Sequence, residues 1–374
     1  EQATRILLSG QNPYATTTLF YYPPLWMQVL FVLGRISDGT HISLAHLIQV
    51  VLTGVDVLIV ALAFLFMRFL GCDRSRAWWI ALIGIALNPI SIFMAVEHGN
   101  FDAIVGLFAL STVYAVVAWN QSASISTWLV GCLMLGLGIL AKTVPLVLAP
   151  LLLIRWRETD WAARGVGAAL IVLPALIGVS VLYVLSPDMV ASNVFHYRSV
   201  SGYFGVSGLL NLVGGTSATT AYASAYPVLP LAAVLFAGFV FSRPARRSTQ
   251  TIVISSVLLL MAIPALGPGY GPQYIGWILP LAVVLYAIST GPLRLSLLAF
   301  GILALSTYTV EYAVIPALGP ASKDVLSPAE AQTVFRLPLF AAYLAVLASG
   351  LWTLAAARSL PRPHRKPVAD RATP

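Results

Sequence analysis

The chain has 374 residues, 59% of them hydrophobic and only 9% charged, with a mean hydropathy of +0.88 and a formal net charge of +8. Apolar runs of about 20 residues, enough to cross a hydrocarbon core roughly 30 Å thick, recur along it, so a soluble domain is excluded and an all-α polytopic integral membrane protein is expected. The alternating segments of about 10 residues that mark a transmembrane barrel do not occur, and the basic residues sit in short clusters beside apolar runs, as topology signals do, which argues against a nucleic-acid partner.

The chain opens on Glu1-Gln2-Ala3-Thr4-Arg5-Ile6-Leu7-Leu8, part of an amphipathic helix already under way and without an initiating Met, so a preceding span is expected to be missing. Tyr21-Tyr22-Pro23-Pro24-Leu25 leads into an apolar stretch ending near Arg35. At about 12 residues it is too short to cross and reads as a re-entrant or interfacial helix. Residues 1–46 are therefore expected to form a loop with interfacial helices. Spans follow from about Leu47 to Leu70, Ala77 to Val96 and Phe101 to Trp119. Residues 127–154 are too long for one ordinary span and break at Lys142-Thr143-Val144-Pro145, which predicts two short helices meeting there. Further spans lie near 165–185, 224–241, 250–266, 275–290, 294–316 and 337–357. The count is about eleven, in a single domain over 1–374 that ends in a tail over 358–374.

On this alternation fifteen basic residues, among them Arg68, Arg74, Arg76, Arg155, Arg243 and Arg294, share one side, and only Arg5, Arg35, Lys142, Arg198, Lys323 and Arg336 share the other. The positive-inside rule makes the first side cytoplasmic. Glu97, His98, Asp102, Asp188, His196, Asp324 and Glu330 then lie on the extracytoplasmic face of the cell membrane.

Polar groups crowd at Glu97-His98-Gly99-Asn100-Phe101-Asp102, between two apolar runs. Such a cluster is costly beside hydrocarbon and points to a site, although Asn100 could simply cap the helix that follows, with Asp102 against its positive end. On that outer face no nucleotide-activated substrate is expected, and neither a phosphate-cradling Gly loop with Lys-Ser/Thr nor a strand-and-helix GxGxxG occurs. Cys72 and Cys132 are placed neither for a disulfide nor as nucleophiles. No metal-ligand spacing stands out; no cofactor is evident, and a divalent cation is left open. Carboxylates, a few cations and aromatic residues on that face suit sugar transfer from a lipid phosphate: a carboxylate takes the acceptor's proton, and Arg, Lys or His steadies the departing phosphate.

Three stretches resemble the polytopic GT-C glycosyltransferases that use polyprenyl-phosphate sugars, especially bacterial mannosyltransferase-like members and the eukaryotic GPI mannosyltransferase. They are Leu8-Ser9-Gly10-Gln11-Asn12-Pro13-Tyr14 with Tyr22-Pro23-Pro24-Leu25; Asn88-Pro89 with His98-Gly99-Asn100-Phe101-Asp102-Ala103-Ile104; and Gly271-Pro272-Gln273-Tyr274-Ile275-Gly276-Trp277-Ile278-Leu279-Pro280, beside Ala141-Lys142-Thr143-Val144-Pro145-Leu146. The resemblance implies inverting transfer of a sugar, mannose in the nearest members, from a polyprenyl-phosphate donor to a lipid, glycan or protein acceptor at the bilayer. It places the catalytic base in the first outer loop, where Glu1 stands near the expected position, with Asp102 the second candidate. Lys142, Arg198 and His196 are the expected lipid-phosphate contacts. His98, Asn100, Gln273, Tyr274 and Trp277 are expected to hold sugar or acceptor.

Two other classes compete. Asp56, near the middle of its span, suits an ion path and with Glu311 would serve a secondary transporter, but no internal repeat of the transporter kind is visible; Asp56 reads equally as protonated or paired with Thr53. A non-catalytic lipid-binding subunit is the third.

Overall fold

The structure, a computed structural model, describes residues 2–13, 24–185, 187, 201–225, 248–318 and 332–359. Those residues are overwhelmingly helical. The chain runs through α1 (Gln2–Leu8), α2 (Pro24–Thr40), α3 (Leu44–Phe69), α4 (Arg74–Ala81) with a π-helical turn Leu82–Ala86, and α5 (Pro89–Ile92) with a π-helical turn Phe93–Glu97. Next come α6 (Asp102–Ser122), α7 (Ile125–Ala141), the 3-10 segment Val144–Leu153, α8 (Trp161–Leu185), α9 (Gly205–Ala225) and α10 (Thr249–Leu266). The last are α11 (Ile275–Ile288), α12 (Gly291–Thr309) with its π-helical continuation Val310–Val314 and a final turn Ile315–Leu318, and α13 (Leu337–Ser359), which follows the π-helical turn Gln332–Arg336.

Among the described residues six helices are long and apolar enough to cross a membrane, and a seventh if α4 and α5, bent by 45°, count as one span. The chain is a multi-pass membrane protein. Local chemistry sets the helix starts: Ser43 accepts from the His46 N–H, Asp73 from Arg76, and Ser248 from Thr251, each satisfying an amide that the first turn leaves free. At the bend, Asn88 accepts from the Ile90 N–H and donates to the Gly84 carbonyl, while Pro89 takes the first helical position. Asn88 thus uses both ends of its amide, and Pro89 has no N–H to leave unpaired.

The break expected at 142–145 is present. Helix α7 ends at Ala141, Lys142 is extended (φ −162°, ψ 144°), and the chain continues as ten residues of 3-10 helix. Because that helix rises about 2.0 Å per residue, ten residues reach about 20 Å, farther than an α-helix of equal length.

Helix α6 is buried through most of its length and packs on α3, α7, α10 and α11, whereas α8 leaves its apolar surface open to lipid. Apolar side chains gain little by leaving lipid, so close packing of small residues does the joining. A Cβ added at Gly106 of α6 would lie 2.6 Å from the Gly276 carbonyl of α11. These two glycines bring the start of α6 against the start of α11, and that contact builds the site.

Two elements differ from expectation. Helix α2 runs 17 residues, through the polar stretch Arg35–Thr40 that was expected to end it. Helix α9 was not foreseen, because its Gly-, Ser- and Thr-rich sequence has no sustained apolar run; Gly215, at φ 69°, kinks it. The expected span over 224–241 and the tail over 358–374 lie almost entirely outside the described residues.

Candidate active site

The site grows from the first residue of α6. The side-chain oxygen of Asn100 accepts from the Asp102 backbone N–H (2.9 Å), and the Asn100 N–H donates to the Met94 carbonyl (2.9 Å). Asn100 therefore does the turn-forming work that the capping alternative assigned to it, and in doing so it aims Asp102 inward. The Asp102 side chain is 1% exposed, and its Oδ1 accepts from Lys142 Nζ at 2.8 Å.

Lys142 reaches Asp102 because α7 stops at Ala141 and the extended backbone beyond it turns the side chain toward α6 and α11. Its ammonium lies 4.6 Å from the centre of the Trp277 ring, 5.0 Å from Tyr274 and 5.8 Å from Phe101. Tyr274 and Trp277 stack at 4.1 Å, and Phe101 stacks on Trp26 of α2 at 5.1 Å. Ring faces attract a desolvated cation by about 0.5–2 kcal/mol each. Removing one member of a buried ion pair costs about 3–5 kcal/mol, because the other is left uncompensated. The second oxygen of Asp102 and the indole Nε1 of Trp277 are buried with no hydrogen-bond partner among the described residues. Buried polar atoms of this kind are met in a working protein by an ordered water or by a ligand.

Beside this pair lies an aromatic and polar patch. His98 Nδ1 is 3.0 Å from the Tyr308 hydroxyl, and its ring lies 3.8 Å from that of Tyr312, nearly edge-on. The Tyr312 hydroxyl donates to Gln273 Oε1 at 3.5 Å. Burial holds the His98 imidazole below its usual range, against the opposing pull of Glu97 and Asp102. Next to Tyr312, Glu311 Oε1 accepts from Arg336 Nε at 2.7 Å, and the guanidinium stands 5.0 Å over Tyr203.

The turn that carries Gln273 and Tyr274 is held from below. Ser207 donates to the Pro268 carbonyl (2.8 Å) and accepts from the Gly202 N–H (3.0 Å), and Phe204 stacks on Tyr270 at 4.0 Å. Helix α9, unseen in the sequence, is thus a buttress of the site.

Of the residues expected to form a site, Asp102, Lys142, His98, Asn100, Gln273, Tyr274 and Trp277 come together, from chain segments up to 179 positions apart in sequence. Glu1, His196 and Arg198 lie outside the described residues. Phe101, Trp26, Tyr308, Tyr312 and the Glu311–Arg336 pair were not foreseen as parts of it. Aromatic residues in a span look like any other span residue, yet Tyr308 and Tyr312 are four apart on α12 and its π turn, one face of a helix, with Glu311 between them. That spacing was the available signal. Asp56 is half-buried on α3 without a hydrogen bond or ion pair among the described residues, and Thr53, exposed, does not bind it. Among the described residues no three His, Cys, Asp or Glu side chains converge as a metal-binding group.

A family model described as glycosyltransferase family 87 matches residues 20–264. No curated protein matches the chain. Among solved structures, the fold is similar to that of ArnT from Cupriavidus metallidurans, crystallised with undecaprenyl phosphate: identity is 14% and the TM-score 0.48, over 95% of this chain and 72% of that one.

Proposed function

The chain belongs to glycosyltransferase family 87, and we propose that it transfers a sugar, mannose in the first instance, from a polyprenyl-phosphate donor to a hydroxyl of an extracytoplasmic lipid, glycan or protein acceptor. The observation that carries the reading is the buried Asp102–Lys142 pair, with its orphaned oxygen, at the end of a membrane-embedded helix bundle. Asp102 is the base. As the acceptor oxygen bonds to the anomeric carbon, its proton passes to Asp102 Oδ2, the sugar–phosphate C–O bond breaks, and the electron pair leaves with the phosphate. The phosphate departs as an anion, so no separate acid is needed. Lys142 holds Oδ1 and keeps the free oxygen in one orientation. Gln273, Tyr312, His98 and Asn100 offer the hydrogen bonds, and Tyr274 and Trp277 the ring faces, that a sugar requires.

Two features support a lipid-borne donor. No phosphate-cradling nucleotide motif occurs in the sequence. An apolar groove of about 480 Å³, lined by Ile83, Leu87, Leu279, Val283, Leu298 and Leu305, runs between α4, α11 and α12 and suits a hydrocarbon chain.

The test offers purified protein in lipid nanodiscs a labelled polyprenyl-phosphate mannose and, separately, the same sugar on a nucleotide. Product is expected from the lipid donor alone. Asp102→Asn is expected to lower kcat by about 10²–10⁴, the usual worth of a positioned base. The double variant Asp102→Asn with Lys142→Gln, which strands no buried charge, is expected to fold as the wild type does and to stay inactive. Transfer from the nucleotide sugar, or full turnover in the double variant, contradicts the reading.

A further inference from the structure

An inverting displacement brings the acceptor oxygen in on one face of the anomeric carbon and sends the phosphate out from the other, so the base and the phosphate-binding cation must stand on opposite sides of the sugar. Lys142 is 2.8 Å from Asp102 and shares its side. The cation that meets the phosphate has to be found elsewhere.

A second cation–carboxylate pair stands across the patch. Gln273 adjoins Tyr274, which faces Lys142; Tyr312 adjoins Glu311, which binds Arg336; and the Tyr312 hydroxyl donates to Gln273. The two ion pairs are thus the two ends of one bridge, and none of Arg336's contacts is with Asp102 or Lys142. Three π-helical turns meet this bridge: one ends just before His98, one carries Glu311 and Tyr312, and one ends at Arg336 itself. Such turns are rare and gather at functional sites. The Thr307 hydroxyl, near the end of α12 just before the second of these turns, donates to the Phe335 carbonyl of the third at 3.3 Å.

Arg336 is set for an anion in a way that Lys142 is not. Its Nε is fixed by Glu311 and its flat face by Tyr203, the side chain keeps 18% of its surface exposed, and neither Nη has a hydrogen-bond partner among the described residues. A guanidinium so held presents a fork that matches two phosphate oxygens. We propose that Arg336 is the catalytic cation that receives the departing lipid phosphate, with Glu311 and Tyr203 as its positioning residues, while Lys142 serves Asp102. The inference rests on the lipid-phosphate donor reading above and on Asp102 as the base, and names the residue that completes them. The sugar then lies across Gln273, Tyr312 and His98, its anomeric carbon between Asp102 Oδ2 and the Arg336 fork.

The experiment measures binding of polyprenyl phosphate and of the neutral polyprenol to the full chain in nanodiscs, apart from any turnover. Two double variants are compared, Glu311→Gln with Arg336→Gln and Asp102→Asn with Lys142→Gln, because each removes a whole ion pair and leaves no stranded charge. Wild-type protein is expected to prefer the phosphate by about ten- to hundredfold, the worth of a charge-assisted hydrogen bond. The Glu311/Arg336 variant is expected to lose that preference to within about twofold, at an unchanged melting temperature, and the Asp102/Lys142 variant to keep it. In transfer, Arg336→Lys is expected to recover part of what Arg336→Gln loses, because the charge returns without the fork. Loss of the preference in the Asp102/Lys142 variant, or its survival in the Glu311/Arg336 variant, overturns the assignment while leaving the transfer reading standing. A wild type that binds alcohol and phosphate alike overturns the lipid-phosphate donor itself, and the assignment with it.

Discussion

Asp102 shows how two plain preferences combine into chemistry. Asn100 makes the short turn that starts α6, as a capping residue would, and the consequence is a carboxylate facing protein rather than headgroups. The capping reading of the cluster at 97–102 therefore describes the backbone, and the side chain it leaves buried is the one proposed as the base. His98 is open to solvent on one side, and partial desolvation of its ring by Tyr308 and Tyr312 places its folded pKa below the unfolded value of about 6.5. The unfolded chain then binds more protons as pH falls, and the stability that neutral His98 contributes, fully present above about pH 6.5, is lost on acidification through the folded value. Melting temperature is expected to fall more steeply between about pH 7 and pH 5.5 for the wild type than for His98→Gln. Equal slopes would show that another group titrates.

At the scale of the helix, the site depends on places where regular structure stops. Lys142 turns toward Asp102 where α7 ends before Pro145, and His98, Tyr312 and Arg336 ride on or beside π-helical turns. Hydropathy locates α3, α6, α10 and α13 within a few residues, since an apolar run of the right length has one reading in a membrane. It is blind to α9, whose small polar residues carry no such run, and therefore to the support that Ser207 and Phe204 give the Gln273–Tyr274 turn. Nor does it show that Gly106 and Gly276 face each other, because a glycine in an apolar run looks the same whether it meets lipid or a backbone carbonyl. Gly106→Val is expected to force α6 from α11, lowering stability by about 1–3 kcal/mol and abolishing transfer. Gly54→Ala on α3, where nothing lies within 4 Å, is expected to leave both intact or to raise stability by about 0.4–1 kcal/mol. Thermal melts of the two variants beside the wild type check the pair, and equal melting temperatures in all three would contradict the close approach.

At the scale of the whole molecule, resemblance did what periodicity could not. The motifs around Asn88, His98, Lys142 and Gln273 pointed to a membrane glycosyltransferase, and the family match bears that out. The partnership of Asp102 with Lys142 stayed hidden, because 40 positions separate them and nothing in either segment announces the other. Sidedness decides whether a lipid-borne sugar can reach that pair away from the cytosol. Both cysteines are buried, so a cysteine placed at an exposed position reports on its own surroundings. Glu97, beside the site, and Ser75, at the opposite end of the α4–α5 span, are both exposed. The deciding measurement is labelling of Glu97→Cys and Ser75→Cys in intact cells with a membrane-impermeant maleimide. Reaction at position 97 and none at position 75 until the cells are opened is the predicted result; the reverse pattern would put Asp102 on the cytoplasmic side and contradict an extracytoplasmic, lipid-fed transfer.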